Sequence, residues 1–283
     1  MKYIFQTWKS HDLSEANPIF SISQNSWKKL HPSWEYEFFD DVEINALVKE
    51  QFPVFHQKYF SKYIGQIKRV DIFRYCNLFK SGGIYSDLDG EALQPFDQLL
   101  KQSFAHAFGT LKNEDSASSI PNAFMFTRIK KSNFWLFVLA LAVEHFENNR
   151  GFHSTEYLTG PVLTTKAVQA YRRMNIHEIN RYILKYFPDR VNYRSKSKEE
   201  ILLLSYDTIY PIDWQQFSEE ERQEITRKRL SENLIPTNHL HPNSMTLNYW
   251  TYSWTVPRYS IFDKIKLRVR YHSFNIRRAL SAN

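Results

Sequence analysis

An α/β fold is predicted by three observations. Short aromatic runs of strand type alternate with helical stretches at the start of the chain. A long helical region then ends at Gly82-Gly83 and hands over to Ile84 and Tyr85. The second half continues as amphipathic stretches around a further apolar run, Ile201 to Leu204.

Taken in order, Tyr3 to Phe5 and Glu35 to Phe39 read as strands, and Ser26 to Leu30 as a short helix ended by Pro32. Val42 to Phe52 suits a helix stopped by Pro53. From Tyr59 to Lys80 the apolar positions Ile64, Ile67, Ile72, Tyr75, Leu78 and Phe79 mix three- and four-residue steps, which predicts one long helix. Ile84 and Tyr85 begin a strand that runs into acidic residues. Helices follow at Ser132 to Asn148, Thr164 to Met174 and His177 to Phe187, and Ile201 to Leu204 is a buried strand. Ser218-Glu-Glu-Glu is a capping box whose helix runs to about Arg229. The apolar run Phe134 to Val143 is half the length of about 20 residues that a bilayer needs, so it reads as a buried helix. With neither repeat nor linker, the pattern predicts one domain over residues 1–257 and a tail over 258–283.

Composition narrows the classes of function. Trp 7, Tyr 17 and Phe 22 exclude a disordered chain, and Gly 7 with Pro 11 exclude a collagenous one. Cys76 is alone, which excludes an intrachain disulfide and a thiolate metal cluster and fits a reducing compartment. Of the net charge of +7, +6 resides in residues 258–283, where seven basic residues stand against Asp263. The nearly neutral body argues against a nucleic-acid partner. Within the tail, Ile261, Ile265, Val269, Ile276 and Leu280 fit one helix face, while Ile265, Leu267, Val269 and Tyr271 alternate as in a strand. Two readings stay open for it: a basic amphipathic helix on an anionic membrane, or a terminal helix packed on its own domain. The chain opens on a strand rather than a leader, so a cytoplasmic location is expected, with peripheral contact at the inner face of the membrane.

The sharpest motif is Gly82-Gly-Ile-Tyr-Ser-Asp-Leu-Asp-Gly-Glu-Ala-Leu93. Asp87 and Asp89 at the end of a strand would point the same way and offer two carboxylates to a hard cation. Mg²⁺ or Mn²⁺ so held shares its other positions with phosphate oxygens, as a nucleotide-diphosphate donor requires. A solvated acidic turn explains the same residues. Upstream, Asp71 and Arg74 share a helix face, either as a structural ion pair or as hydrogen-bonding partners of sugar hydroxyls. Asp-Leu-Asp-Gly also resembles the nucleophile motif of haloacid-dehalogenase phosphatases, with Asp87 as nucleophile, but Glu91 stands where that motif has Thr. His239-Leu-His241 lacks a third ligand and reads as a surface loop beside Pro242.

From Ile67-Lys-Arg-Val-Asp-Ile-Phe-Arg-Tyr75 through the acidic motif to Leu93-Gln-Pro-Phe-Asp-Gln-Leu99, the chain resembles the DXD-motif glycosyltransferases of family 32, which include yeast-type mannosyltransferases and bacterial capsule enzymes. Phe5-Gln-Thr-Trp8, Trp34-Glu-Tyr-Glu-Phe-Phe-Asp-Asp41, Tyr157-Leu-Thr-Gly-Pro161, Ile209-Tyr-Pro-Ile-Asp-Trp214 and Tyr252-Ser-Trp254 extend the likeness in order. The resemblance implies a GT-A fold, with a mixed central sheet flanked by helices, and a metal-dependent, retaining transfer of a hexose from a UDP- or GDP-sugar to a saccharide or lipid-linked acceptor. By position it implies Asp89 as a direct Mn²⁺ or Mg²⁺ ligand, with Asp87 reaching the ribose, the sugar or the ion. Asp71 and Arg74 would hold sugar hydroxyls, and Asn122 would lie near the reacting sugar. Trp8 would stack on the base, with Tyr85 and Trp254 completing the donor site. One departure stands out: where many members have His-His-Trp, this chain reads Asn248-Tyr249-Trp250, so Asn248 or Tyr249 would replace the family histidines at the metal. A rival of another class is a non-catalytic binder of anionic polymer that uses the tail and exposed aromatics.

Overall fold

The computed structural model describes residues 2–149, 151–235, 238 and 240–251. Trp254, His239 and the tail from 258 to 283 lie outside the described residues.

The chain begins with β1 (Tyr3–Thr7), α1 (Ile19–Leu30), β2 (Glu35–Phe39), α2 (Asp41–Gln51) and α3 (Pro53–Lys58). Next come α4 (Gln66–Ser81), β3 (Gly83–Ser86), β4 (Gly90–Ala92), β5 (His106–Gly109) and β6 (Phe124–Thr127). A helical run follows: α5 (Asn133–Asn148), α6 (Thr155–Leu158), α7 (Pro161–Arg173) and α8 (Ile176–Tyr186). The remaining elements are β7 (Ile201–Leu204), α9 (Tyr206–Ile209), α10 (Glu219–Glu232) and β8 (Thr246–Asn248).

Six strands form a mixed sheet in the order β2-β1-β3-β6-β5-β7. β1 runs parallel to β2 and β3, whereas β6 is antiparallel to both β3 and β5. Side chains alternate across the sheet as strand geometry dictates. Phe5 and Tyr85 enter the large core built on α4, α5 and α7, while Ile4 and Ile84 enter a second core with Trp27, Phe96 and Phe126. α5 is buried on nearly all sides from Phe134 to Val143, as its unbroken apolar run predicts. The expected mixed sheet with flanking helices is therefore the observed architecture.

Three local expectations are corrected. The stretch from Tyr59 to Lys80 is not one helix: a 3-10 turn at Phe60–Lys62 precedes Gly65, whose φ of +93° starts α4 afresh at Gln66. The helix read from Ser26 begins seven residues earlier, after Pro18, because Ile19, Phe20, Ser23 and Trp27 make one continuous buried stripe. Asp87 and Asp89 do not share the side of a strand, since β3 ends at Ser86 and Asp87 to Gly90 close a turn, Gly90 N–H donating to Asp87 C=O at 2.9 Å.

That turn is pinned from below. Ser23 Oγ and Trp27 Nε1, both on α1, donate to the Gly90 carbonyl at 2.5 and 2.7 Å. Trp27 is wholly buried and stacks on Phe96 with ring centroids 5.3 Å apart. Burial of a side chain of this size contributes roughly 3 kcal/mol, ample to hold one end of the turn. A Cβ on Gly90 would stand 2.7 Å from Ser86 Oγ, so the turn closes this tightly only around glycine.

Candidate active site

α4 supplies the first two polar groups of the site. Gln66 to Ser81 is buried along its second half, and Asp71 and Arg74 face the same interior between Ile72, Phe73 and Tyr75. Such burial demands partners. Asp71 Oδ1 accepts from Asn122 Nδ2 at 2.9 Å and lies 3.4 Å from Arg74 Nη1. Its Oδ2 accepts from Thr159 Oγ1 at 2.9 Å. Arg74 Nη1 donates to the Asn122 carbonyl at 3.1 Å, and Nη2 reaches Asp87 Oδ1 at 2.9 Å. The guanidinium also lies over the Tyr85 ring, 4.4 Å from its centroid, and Tyr85 Oη donates to Asp87 Oδ1 at 2.5 Å. One network thus joins four positions far apart in sequence: Asp71, Arg74, Asp87 and Asn122.

The electrostatics follow from burial and pairing. Desolvation pushes the Asp71 carboxyl up to about 6, although Arg74, Thr159 and Asn122 pull against it. Burial also raises Asp87, which Arg74 and the Tyr85 phenol hold back. For Arg74 burial alone would lower the pKa; Asp87 foremost, then Tyr85 and Asp71, hold the guanidinium charged. Asp87 keeps 28% of its side chain exposed against 4% for Asp71. The network is therefore closed at α4 and open at the acidic turn.

The turn gathers the remaining predicted ligands. Gln6 Nε2 donates to the Asp87 carbonyl at 3.1 Å, and Asp87 N–H donates to Ala123 at 2.8 Å, so the turn is tied to β1 and to the start of β6. Gly90 pairs with Asn248 in the antiparallel β4–β8 ladder, and Tyr249 N–H donates to the Asp89 carbonyl at 3.0 Å. Asn248 thereby stands beside the turn, with its Oδ1 accepting from Trp250 N–H at 3.0 Å. Tyr249 is committed elsewhere: its hydroxyl donates to Glu91 Oε2 at 2.6 Å, and Glu91 in turn receives Arg229 Nε and Nη2 at 3.0 and 2.7 Å. Both Glu91 and Tyr249 are buried, so the phenol is a structural partner of α10.

The residues present fit a hard divalent cation. Asp87 and Asp89 are partly exposed oxygen donors on one tight turn, and Arg74 and Tyr85 both reach Asp87 through Oδ1. Trp8 is half-buried at the end of β1, edge-on to Phe20 at 4.7 Å between centroids, and so presents part of its ring to solvent. His241 is exposed near Asp207, in keeping with a surface loop. Another cluster of possible ligands among the described residues, His11, Asp40 and Glu43, serves a structural end: Asp40 and Glu43 form the capping box of α2.

Thr159, Gln6, Ser23 and Trp27 were not among the predicted site residues. Thr159 and Gln6 do sit inside family-like patches, Thr-Gly-Pro and Phe-Gln-Thr-Trp, and being polar yet wholly buried they carry the signal of a bonded partner. Ser23 and Trp27 bear no local mark; only the helix that starts at Ile19 brings them under Gly90.

Part of the chain is similar in sequence to known proteins. Residues 20–105 match the family described as the glycosyltransferase sugar-binding region containing a DXD motif. The chain is 30% identical over 175 residues to inositol phosphoceramide mannosyltransferase 3 of Schizosaccharomyces pombe, covering 61% of this chain and 46% of that protein. It is 28% identical over 176 residues to a mannosyl phosphorylinositol ceramide synthase of Saccharomyces cerevisiae, covering 61% and 43%. The chain thus spans less than half the length of these two relatives. Among solved structures, the PaToxG glycosyltransferase aligns over 69% of this chain and 85% of its own, at 19% identity and a TM-score of 0.45. Residues 20–105 thus match a glycosyltransferase sugar-binding region, and Asp87-Leu88-Asp89 is the D-x-D sequence inside that span.

Proposed function

We propose that the chain is a hexosyltransferase that moves a sugar from a nucleotide-diphosphate donor, with a divalent cation held at Asp89 and assisted by Asp87. The observation that carries the reading is the network of Asp71, Arg74, Asn122 and Asp87, which closes on α4 and opens at the acidic turn. Ionised Asp71 accepts from sugar hydroxyls and Arg74 donates to them, so the pair fixes the hexose beside the turn. The cation, when bound, balances the charge that develops on the departing diphosphate. Asn122 holds Asp71 and, with Thr159, sets the direction of its carboxylate. Asn248 adds an amide oxygen to the ion from β8. Trp8 takes the base on its exposed part.

Both relatives described above are named for mannose transfer, so mannose is the first sugar to try and a lipid-linked or saccharide acceptor the first acceptor class. Retention of anomeric configuration belongs to the proposal on the strength of the family-32 resemblance. A cytoplasmic site of action with the tail meeting an anionic membrane is also part of the proposal, supported by the charge of +6 in residues 258–283. The test is a hydrolysis screen with Mn²⁺ over UDP- and GDP-sugars. Turnover of one hexose donor that depends on the ion supports the reading; a panel hydrolysed no faster than without protein overturns it.

A further inference from the structure

Tyr210 follows α9 and is 1% exposed. Its ring is wedged from two sides. Trp250 packs against it with centroids 5.3 Å apart, and a Cβ on Gly109 would come within 2.7 Å of its Cε2. It shares the second core with Ile4, Ala123 and Phe124, the last two flanking the point where β6 receives the Asp87 N–H. Despite this burial, the Tyr210 hydroxyl makes no hydrogen bond among the described residues. The Phe124 backbone N–H lies beside it, but an N–H is a donor and leaves the phenol proton unclaimed.

A buried hydroxyl proton without an acceptor is a standing penalty that a phenylalanine would remove at once. Such a group calls for an explanation, and a ligand-bound state that supplies the acceptor is one. Tyr210 packs in one core with Ala123, whose carbonyl takes the Asp87 N–H at 2.8 Å, so the acidic turn is the neighbouring segment, and its carboxylates are acceptors. In the present state Asp87 Oδ1 is taken by Arg74 and Tyr85. On the donor-site reading given above, Arg74 turns part of its hydrogen bonding to the sugar, which frees carboxylate lone pairs at the turn.

We propose that Tyr210 is a positioning residue for the donor site, its phenol proton being accepted by a carboxylate oxygen of the Asp87 to Asp89 turn when nucleotide-diphosphate and cation are bound. This inference rests on the donor-site reading and adds a residue to it. Tyr210 touches neither sugar nor diphosphate; it acts through the turn, holding the carboxylates in the form that grips the ion.

Tyr210→Phe separates this role from plain packing. The free variant should melt at or above the wild-type temperature, because the penalty is gone and the ring remains. Its affinity for UDP or GDP with Mn²⁺, by calorimetry, should fall about ten-fold or more, the worth of one hydrogen bond to a charged acceptor. Turnover of the donor should fall with it. A variant that melts lower, with affinity and turnover declining only as the folded fraction does, makes Tyr210 a packing residue. A variant that binds and turns over as the wild type does overturns the inference while leaving the donor site standing. A wild type that binds neither nucleotide with Mn²⁺ overturns the donor-site reading, and this inference with it.

Discussion

Replacing Arg74 by alanine removes the guanidinium that stands between two carboxylates, 2.9 Å from Asp87 and 3.4 Å from Asp71, in a place where its own side chain is 7% exposed. Removing one member of a buried pair costs about 3 to 5 kcal/mol, because the remaining charge is left in a poorly solvating interior. For a domain of this size, where 1 kcal/mol moves the melting temperature by about 2 to 4 °C, the variant should melt roughly 10 °C lower at neutral pH. The sign of the pH dependence follows from Asp71. Its folded pKa of about 6 lies above the ordinary 3.8, so the folded protein binds the extra proton and this contribution to stability is lost as pH rises from about 4 through 6. Without Arg74 the folded value climbs further and the loss continues to higher pH. The deficit against wild type should therefore be largest near pH 8 and shrink toward pH 5. Thermal melts across that range measure it, with nucleotide affinity and turnover recorded well below the melting point. Affinity for UDP or GDP should stay within a few-fold while turnover collapses. A deficit that is independent of pH, or below about 1 kcal/mol, would refute the buried-pair reasoning.

Two further predictions concern the periphery of the site. Arg229→Met strands buried Glu91 and loosens the β4–β8 ladder from α10, so it should cost about 3 kcal/mol, and adding Glu91→Gln should restore part of the loss; urea melts of the single and double variants check this. Deleting residues 258–283 should abolish sedimentation with anionic vesicles at low salt and spare donor hydrolysis; vesicle binding equal to that of the full chain would assign the tail another role.

The local physics of single segments made much of the architecture legible. The aromatic, strand-type run at Tyr3 to Phe5, the capping box at Ser218 and the all-apolar run of α5 each encode their own element. Gly65 shows where this stops. A single positive φ divides a stretch whose apolar spacing is helical throughout, and spacing does not report φ. At the site, Asp71, Arg74, Asn122 and Asp87 were nameable from motif order, and the structure does bring them into one network. The direction in which Asp87 and Asp89 point was not legible, because a tight turn, set by Gly90 and two α1 side chains, replaces strand alternation after Ser86. Tyr249 illustrates a second limit. A phenol beside an expected ligand position reads as a replacement ligand until Glu91 and Arg229, the latter 138 positions from Glu91 in sequence, are seen to claim it.

The account turns on a cation held at the acidic turn, and Asp89→Asn tests that most directly. The replacement is nearly isosteric and removes only the charge that balances the ion, so the fold and melting temperature should be retained. Hydrolysis of the hexose donor identified in the screen, titrated with Mn²⁺, should fall to background in this variant at every concentration of the ion. Full Mn²⁺-dependent turnover by Asp89→Asn would contradict the account.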